Sequence, residues 1–208
     1  MKNYYNVILI LLLIIVTSQK LTGQYVTFGR AFSFGDAFIT DKDVTHGFLL
    51  SLTGGLSITY ADNEHYGFAA DVVYATEGSN SKTAGVAGDI QNKIKLGYIR
   101  IPFKYIRFLG EYGDPIRPKI FVGPSFGYLV SAETNKENTK ADFNKFDMGL
   151  HIGVGANKII CDRIWLNTDI TYTQGILDVT KQTQNNKEIN LNGSVRLNIS
   201  LLLGTNRK

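Results

Sequence analysis

Histidine and cysteine are the residues of this chain that could most directly bind a metal or act in catalysis, and there are few of them. The three histidines are His46, His65 and His151, and the one cysteine is Cys161. They are too scattered to form a zinc-type ligand cluster, and no Ser–His pair has a spacing that indicates nucleophilic catalysis. We therefore expect no catalytic residue, no metal and no cofactor. A single cysteine excludes an intramolecular disulfide, and Cys161 is expected to lie unpaired in a turn.

Charged residues inside otherwise apolar segments form the second group of candidates. Each shares its side of an alternating segment with mostly small or polar residues rather than large apolar ones. Three acids and three bases nearly balance, so we predict paired, hydrogen-bonded layers, because an unpaired buried charge is costly. A structural plug is the favoured interpretation, and a proton path or substrate site is the alternative. The set consists of Asp71, Arg100, Lys104, Asp147, His151, Asp169 and Arg196.

Eight alternating segments must position these side chains. In the fifth, for example, Ile120, Val122 and Phe126 alternate with Gly123 and Ser125. Alternation with a period of two indicates a β-strand with two different faces, and no helical pattern longer than a turn appears. The segments cover residues 26–34, 46–60, 66–77, 94–105, 120–131, 146–157, 164–176 and 189–203.

The face that carries the charges indicates a membrane barrel. In lipid each charge would cost ~2–4 kcal/mol near the midplane, so the charged face should line the interior and the large apolar face should meet lipid. Each segment suits a tilted membrane strand of about 9–11 residues. Side chains fill the interior of an eight-stranded barrel, which disfavours a porin. A soluble lipocalin-like barrel is the alternative, but it would need the two faces exchanged.

The connections are expected to alternate in length. Short turns follow the second, fourth and sixth segments, and longer polar loops follow the others. This alternation is typical of an outer-membrane barrel with both termini in the periplasm. The outer loops are predicted at residues 35–45, 78–92, 134–145 and 178–187.

The fourth segment contains a local irregularity. Its apolar residues change phase between Tyr98 and Ile99, close to Pro102. A slip of one residue beside a proline predicts a β-bulge at this point.

The first 24 residues are expected to be a signal peptide. Lys2 supplies a positive start, and Val7–Val16 is an apolar run too short to span a bilayer. Export leaves residues 25–208 as one barrel domain in the cell outer membrane. Removal of Lys2 and Lys20 lowers the net charge of +4, so the basic character is no evidence for nucleic acid binding.

Two strands resemble a known family. Leu96–Phe103 reads L-G-Y-I-R-I-P-F, and Ile120–Leu129 reads I-F-V-G-P-S-F-G-Y-L. They are similar to the L-x-Y-L-x-I-P and F-x-G-P-x-x-G-Y-L strands of the PorT-type outer-membrane β-barrel family of Bacteroidetes. The resemblance implies an eight-stranded outer-membrane barrel, and the founding member is linked to type IX protein secretion. One departure is the C-terminus, Leu203–Lys208, which lacks the terminal aromatic residue of many outer-membrane barrels.

The favoured function is that of a small, non-enzymatic barrel surrounded by outer-membrane lipids. Three roles fit this description: surface binding through the outer loops, maintenance of envelope integrity, and an accessory role in type IX-like secretion. The last role implies secretion or envelope proteins as partners. The alternatives are a lipid-A-modifying enzyme that uses serine, histidine and an acid, and the soluble lipocalin-like barrel.

Overall fold

The computed structural model describes residues 25–40, 45–61, 65–85, 88–111, 114–161, 163–181 and 189–205. The predicted signal peptide at residues 1–24 lies outside these ranges. Within them, no helix is long and apolar enough to cross a membrane. The strands are β1 (Tyr25–Thr40), β2 (Thr45–Gly47), β3 (Leu50–Ala61), β4 (Tyr66–Gly85), β5 (Gly88–Phe108), β6 (Ile116–Thr134), β7 (Glu137–Asn138), β8 (Phe146–Cys161), β9 (Ile164–Gly175) and β10 (Leu191–Gly204), and a short 3-10 turn covers Lys140–Asp142.

Eight long strands of the described chain close into an antiparallel barrel. Their order round the ring is β1, β3, β4, β5, β6, β8, β9 and β10. The ring closes where β1 pairs with β10, from Thr27 opposite Gly204 to Thr40 opposite Leu191. The short strands β2 and β7 add to β4 and β6. The predicted eight-stranded up-and-down barrel is therefore confirmed.

The barrel has two different ends. The described termini and the connections after β3, β5 and β8 lie at one end, which we call the short-turn end. The connections after β1, β4, β6 and β9 lie at the other, which we call the long-loop end. Every long strand therefore runs from one end to the other, and residue position along a strand gives height in the barrel.

The faces of the barrel are the reverse of those of a soluble protein. Outward side chains such as Leu56 and Ile152 are 64% and 55% exposed, whereas the inward Ser51 and Asp147 are 0% and 1% exposed. A continuous, exposed apolar surface that extends round the barrel marks contact with a partner or a membrane. A soluble lipocalin-like barrel would have the opposite arrangement, so that alternative is wrong.

The charged side chain of Arg30 interrupts the outer apolar surface. Arg30 is exposed on β1 between Phe28 and Phe32. Its partners across the two neighbouring strands are Leu56 and Leu201. Arg30 therefore lies among apolar side chains about halfway along the outer wall.

Two of the predicted outer loops are wrong in their bounds. Residues 35–40 continue β1, and most of 78–92 is a hairpin in which β4 and β5 pair out to Gly85 opposite Gly88. The loop prediction failed because polar residues on both faces were taken as a loop signal. Beyond an apolar belt, both faces of a hairpin can be polar. Of the predicted loops at 134–145 and 178–187, the first contains β7 and the 3-10 turn, and most of the second lies outside the described residues.

The predicted bulge is present, but the additional residue lies on the neighbouring strand. Gly97 is opposite Ser131 and Tyr98 is opposite Leu129, so Val130 on β6 has no partner on β5. The apolar residues of β5 change sides for another reason. Leu96 and Tyr98 are fully buried inside the long-loop end of the barrel, where the interior is apolar.

Candidate functional site

The centre of the lumen is a four-residue charge network that joins four strands. Glu77 on β4 accepts hydrogen bonds from two arginines, Arg100 Nη2 on β5 at 2.5 Å and Arg196 Nη2 on β10 at 2.8 Å. Arg100 Nη2 also donates to Asp147 Oδ2 on β8 at 2.5 Å. All four residues are at most 7% exposed. Two acids and two bases make this group, which we call the Glu77 network, neutral as a unit.

Neutral side chains complete the Glu77 network. Asn192 Nδ2 donates to Asp147 Oδ2 at 3.2 Å and to the Tyr98 hydroxyl at 3.4 Å. The Arg196 Nε–H donates to Ser51 Oγ at 2.9 Å. The Arg100 guanidinium also lies over the Tyr98 ring, 5.1 Å from its centroid. Because low-dielectric surroundings strengthen such contacts and penalise unpaired groups, the network holds its strands in one arrangement.

A second charged layer lies nearer the short-turn end. Lys104 Nζ on β5 contacts Asp71 Oδ2 on β4 at 2.6 Å, and Lys119 Nζ on β6 contacts Asp169 Oδ1 on β9 at 3.0 Å. Both ammonium groups lie near the Phe121 ring, at 5.5 and 5.9 Å from its centroid. We call these four residues the lysine pairs. They are also neutral as a unit.

A small polar cavity separates the two layers. Its volume is about 50 Å³, and its lining includes Asp71, Arg100, Ser125, His151 and Thr171. This volume corresponds to about three to five water molecules at ~10–15 Å³ each. His151 is 2% exposed and packs against Phe121 at 6.0 Å between ring centroids, and neither of its ring nitrogens has a hydrogen-bond partner among the described residues.

Apolar clusters close both ends of the lumen. At the long-loop end, Phe143 and Val179 from the connections pack onto inward residues of the strands, which are Ile39, Leu96, Tyr98, Leu129 and Ala132. At the short-turn end, a second buried cluster is formed by Ala61, Ala69, Ile106, Phe108 and Phe121. Arg117 covers this lower cluster, with its guanidinium 4.2 Å from the Phe108 centroid.

The connections at the long-loop end form an ordered cap. Asn144 Nδ2 donates to the carbonyls of Asp178 and Thr180 at 2.9 and 3.0 Å. The Asp178 carboxylate accepts from the backbone N–H groups of Thr180 and Asn190 at 3.0 and 3.2 Å. Lys140 Nζ donates to the Val130 carbonyl at 2.8 Å. These bonds tie the two connections, residues 135–145 and 176–181, to each other and to the barrel.

The structure places all seven sequence-derived site residues inside the barrel, and six of them belong to the two charged layers. Asp147 binds Arg100 and Asn192, whereas His151 faces the cavity between the layers. Sequence reasoning missed two ionic members of the layers, Glu77 and Lys119. Both have the same parity as the inward residues of their strands. Glu77 was missed because the predicted strand 66–77 ended at this residue, where the polar residues 78–92 begin.

The remaining chemistry-bearing residues lie away from the lumen. Cys161 is an exposed free thiol at the end of β8, and His65 is exposed in the turn before β4. His46 belongs to β2. In the described ranges, no group of three or more histidine, cysteine and acidic residues is arranged to hold a metal ion. The ionic groups described in the lumen are arranged in the two neutral layers.

Comparisons with known proteins agree on the architecture. A family model described as outer membrane protein beta-barrel domain matches residues 24–181. The outer membrane protein OprG of Pseudomonas aeruginosa matches with 12% identity and a TM-score of 0.52, over 88% of this chain and 95% of that one. Neisserial surface protein A matches with 17% identity and a TM-score of 0.51, over 86% and 97% of the two chains. At these identities the solved structures speak to the fold alone. No curated protein matches the sequence.

Proposed function

This chain belongs to the outer membrane protein beta-barrel domain family, and from that premise we propose that it is a non-conducting surface protein. Its barrel is an anchor in the outer membrane, and its long-loop end carries out recognition at the cell surface. The observation that carries this proposal is the combination of a filled lumen and a folded cap. A pore would need an open path through the lumen. A barrel that only maintained envelope integrity would need no ordered cap.

The filling of the lumen argues against transport. From the cap to the short-turn end, a solute would meet the upper apolar cluster, the Glu77 network, the lysine pairs and the lower apolar cluster in turn. The cavity between the layers is about 50 Å³, which is smaller than common metabolites. In this proposal the seven predicted lumen residues, together with Glu77 and Lys119, are structural.

The folded cap argues for recognition. Its two connections share the buried pair Phe143 and Val179, and Asn144 and Asp178 fix their backbones. A surface that is ordered before it binds loses less entropy on binding. We therefore place surface binding first among the three roles, ahead of envelope integrity and of an accessory role in secretion.

The proposal includes an orientation and an export route. The signal peptide at residues 1–24 directs the chain across the inner membrane, and the termini and short turns face the periplasm. Within the family we place the chain with the PorT-type barrels of Bacteroidetes, because of the Leu96–Phe103 and Ile120–Leu129 strands. We propose no enzymatic activity and no cofactor. His151, the histidine inside the barrel, has no hydrogen-bond partner at either ring nitrogen in the part of the chain that the structure describes.

Cys161 provides a test of the orientation in whole cells. A membrane-impermeant maleimide should leave Cys161 unlabelled in intact cells and label it after the outer membrane is permeabilised. In a Cys161→Ser background, Lys136→Cys at the long-loop end should label in intact cells. The reverse pattern would contradict the proposed orientation.

Two experiments test the function. In planar lipid bilayers the purified protein should show no steady single-channel conductance, and a clear conductance would refute the filled-lumen proposal.

In a strain that lacks the gene, a variant with residues 135–145 and 176–190 replaced by short Gly/Ser turns should fail to restore the functions that the deletion abolishes. The control Ser125→Ala, changed only in the lumen, should restore them. Heat-modifiable gel migration confirms that both variants form barrels. Full complementation by the cap-replaced variant would refute surface binding through the cap.

A further inference from the structure

Three lysines form a basic concave surface on the outer wall of the long-loop end. We propose that Lys93, Lys95 and Lys136 bind the phosphate groups of lipopolysaccharide in the outer leaflet, and we call them the lysine site. The proposal rests on the orientation proposed above, because that orientation puts the long-loop end at the outer leaflet.

The register of β5 places two of the lysines just above the apolar belt. Ile99 on β5 is opposite Tyr74 on β4 and Tyr128 on β6, and all three side chains are exposed on the outer wall. Aromatic rows of this kind lie at the boundary between hydrocarbon and head groups. Lys95 is four residues beyond Ile99 on the same face, roughly 13 Å along the strand. Lys93 and Lys95 therefore lie at the level of the lipid head groups.

A tight turn brings the third lysine to the same place. Asn135 and Lys136 have φ angles of 53° and 75°, which is the left-handed pattern of a type I′ hairpin turn. The backbone N–H of Lys93 donates to Asn135 Oδ1 at 2.9 Å, and the Asn135 N–H donates to the Lys93 carbonyl at 2.9 Å. The turn is thus held directly against β5, and Lys136 is presented beside Lys93.

The resulting surface suits a phosphorylated sugar. The depression has a volume of about 370 Å³, and it is lined by Asn80, Lys93, Lys95, Glu133, Asn135 and Lys136. With three lysines and one glutamate in its lining, the site has a net positive charge. Within the described ranges none of the three lysines forms an ion pair. Lysine acts as a point charge toward phosphate, and the two asparagine amides can donate hydrogen bonds to sugar or phosphate oxygens.

The location distinguishes a lipid from a free anion. The site opens sideways on the wall of the barrel, above the belt that contacts hydrocarbon, and not into the lumen or the top of the cap. An amphiphile can place its acyl chains on Ile99 and its phosphate at Lys95 at the same time. A dissolved phosphate gains only the second contact.

Binding of purified lipid A to the folded protein in neutral detergent tests the proposal. Native mass spectrometry would compare diphosphoryl lipid A with its dephosphorylated form. The variant Lys93→Gln/Lys95→Gln should bind diphosphoryl lipid A about tenfold to thirtyfold more weakly, since each lysine near an anionic surface strengthens binding by about fivefold or slightly less. Glu133→Gln should bind it more tightly. The matched control Lys158→Gln/Arg163→Gln, which removes two charges at the short-turn end, should bind like the wild type.

The outcomes are distinct. Equal affinity of the wild type and Lys93→Gln/Lys95→Gln, or an equal loss in the control pair, would refute the lysine site. Displacement of lipid A by millimolar inorganic phosphate would identify a free-phosphate site instead and would also overturn the proposal. The measurement is made in detergent and does not depend on orientation in the cell. A negative result therefore leaves the cysteine-labelling test of the proposed function intact.

Discussion

Glu77 is the residue on which the lumen depends most, and its neutralisation should be strongly destabilising. Its two carboxylate oxygens each accept a hydrogen bond from a different arginine, and its side chain is 3% exposed. Glu77→Gln keeps the shape, but it leaves Arg100 with Asp147 as its acidic partner and removes the carboxylate that Arg196 contacts. Removing one partner of a buried ion pair costs about 3–5 kcal/mol. We expect the free energy of unfolding to fall by that amount.

Urea unfolding in phospholipid vesicles measures this change. Trp165 is the single tryptophan of the chain and is 8% exposed on the inner face of β9, so its fluorescence reports loss of the barrel. The double variant Glu77→Gln/Arg196→Gln restores neutrality and should be less destabilised than the sum of its two single variants by at least ~1 kcal/mol. Glu133→Gln, on the surface, serves as control and should change stability by about 0.5 kcal/mol or less. A Glu77→Gln barrel within 1 kcal/mol of the wild type would refute the reasoning.

Three further substitutions have expected signs. Arg30→Leu should raise the free energy of unfolding in vesicles by about 2–4 kcal/mol, because it removes a charge from the lipid-facing belt; a loss of stability would show that Arg30 has a polar partner. His151→Phe should be neutral or stabilising by about 1 kcal/mol in the same urea assay, since neither nitrogen of the buried imidazole has a hydrogen-bond partner among the described residues; a large loss of stability would contradict a purely space-filling role for His151. Gly153→Ala should destabilise by about 1–3 kcal/mol, because its Cβ would collide with the Phe121 ring and the Ile170 carbonyl, whereas at Gly54, where a Cβ meets nothing within 4 Å, alanine should be tolerated.

The sequence was sufficient for the existence of the eight long strands and, except near the β5–β6 bulge, for the side of each strand that faces inward. Alternation alone assigns Asp147 and Arg196 to the lumen, because a period of two leaves no other choice once the apolar face is given to lipid. Alternation does not give the height of a residue along the barrel axis. The contact between Glu77 and Arg196 depends on the register of four strands around the ring, β4, β3, β1 and β10, and no local pattern in the sequence contains that information.

The cap could not be predicted for a related reason. Phe143 and Val179 lie in polar connections, and each appears in the sequence as an isolated apolar residue. Their burial depends on Leu96 and Tyr98, which point inward only because the interior of the long-loop end is apolar. From the sequence, those two residues looked like a change of phase within β5. The true irregularity is the additional residue Val130 on β6, which only the pairing of the two strands reveals.

The members of the Glu77 network lie on β4, β5, β8 and β10, so the network is complete only after the last strand has been synthesised. Arg196 lies on β10, the last strand of the chain, so it is the final member to become available. A chain that ends before β10 has Glu77 and Asp147 facing only Arg100, with one negative charge left over in the interior. We therefore expect truncated or slowly completed chains to remain unable to insert stably. Neutralisation of the Glu77 network by Arg196 should therefore coincide with the pairing of β10 to β1 that closes the barrel.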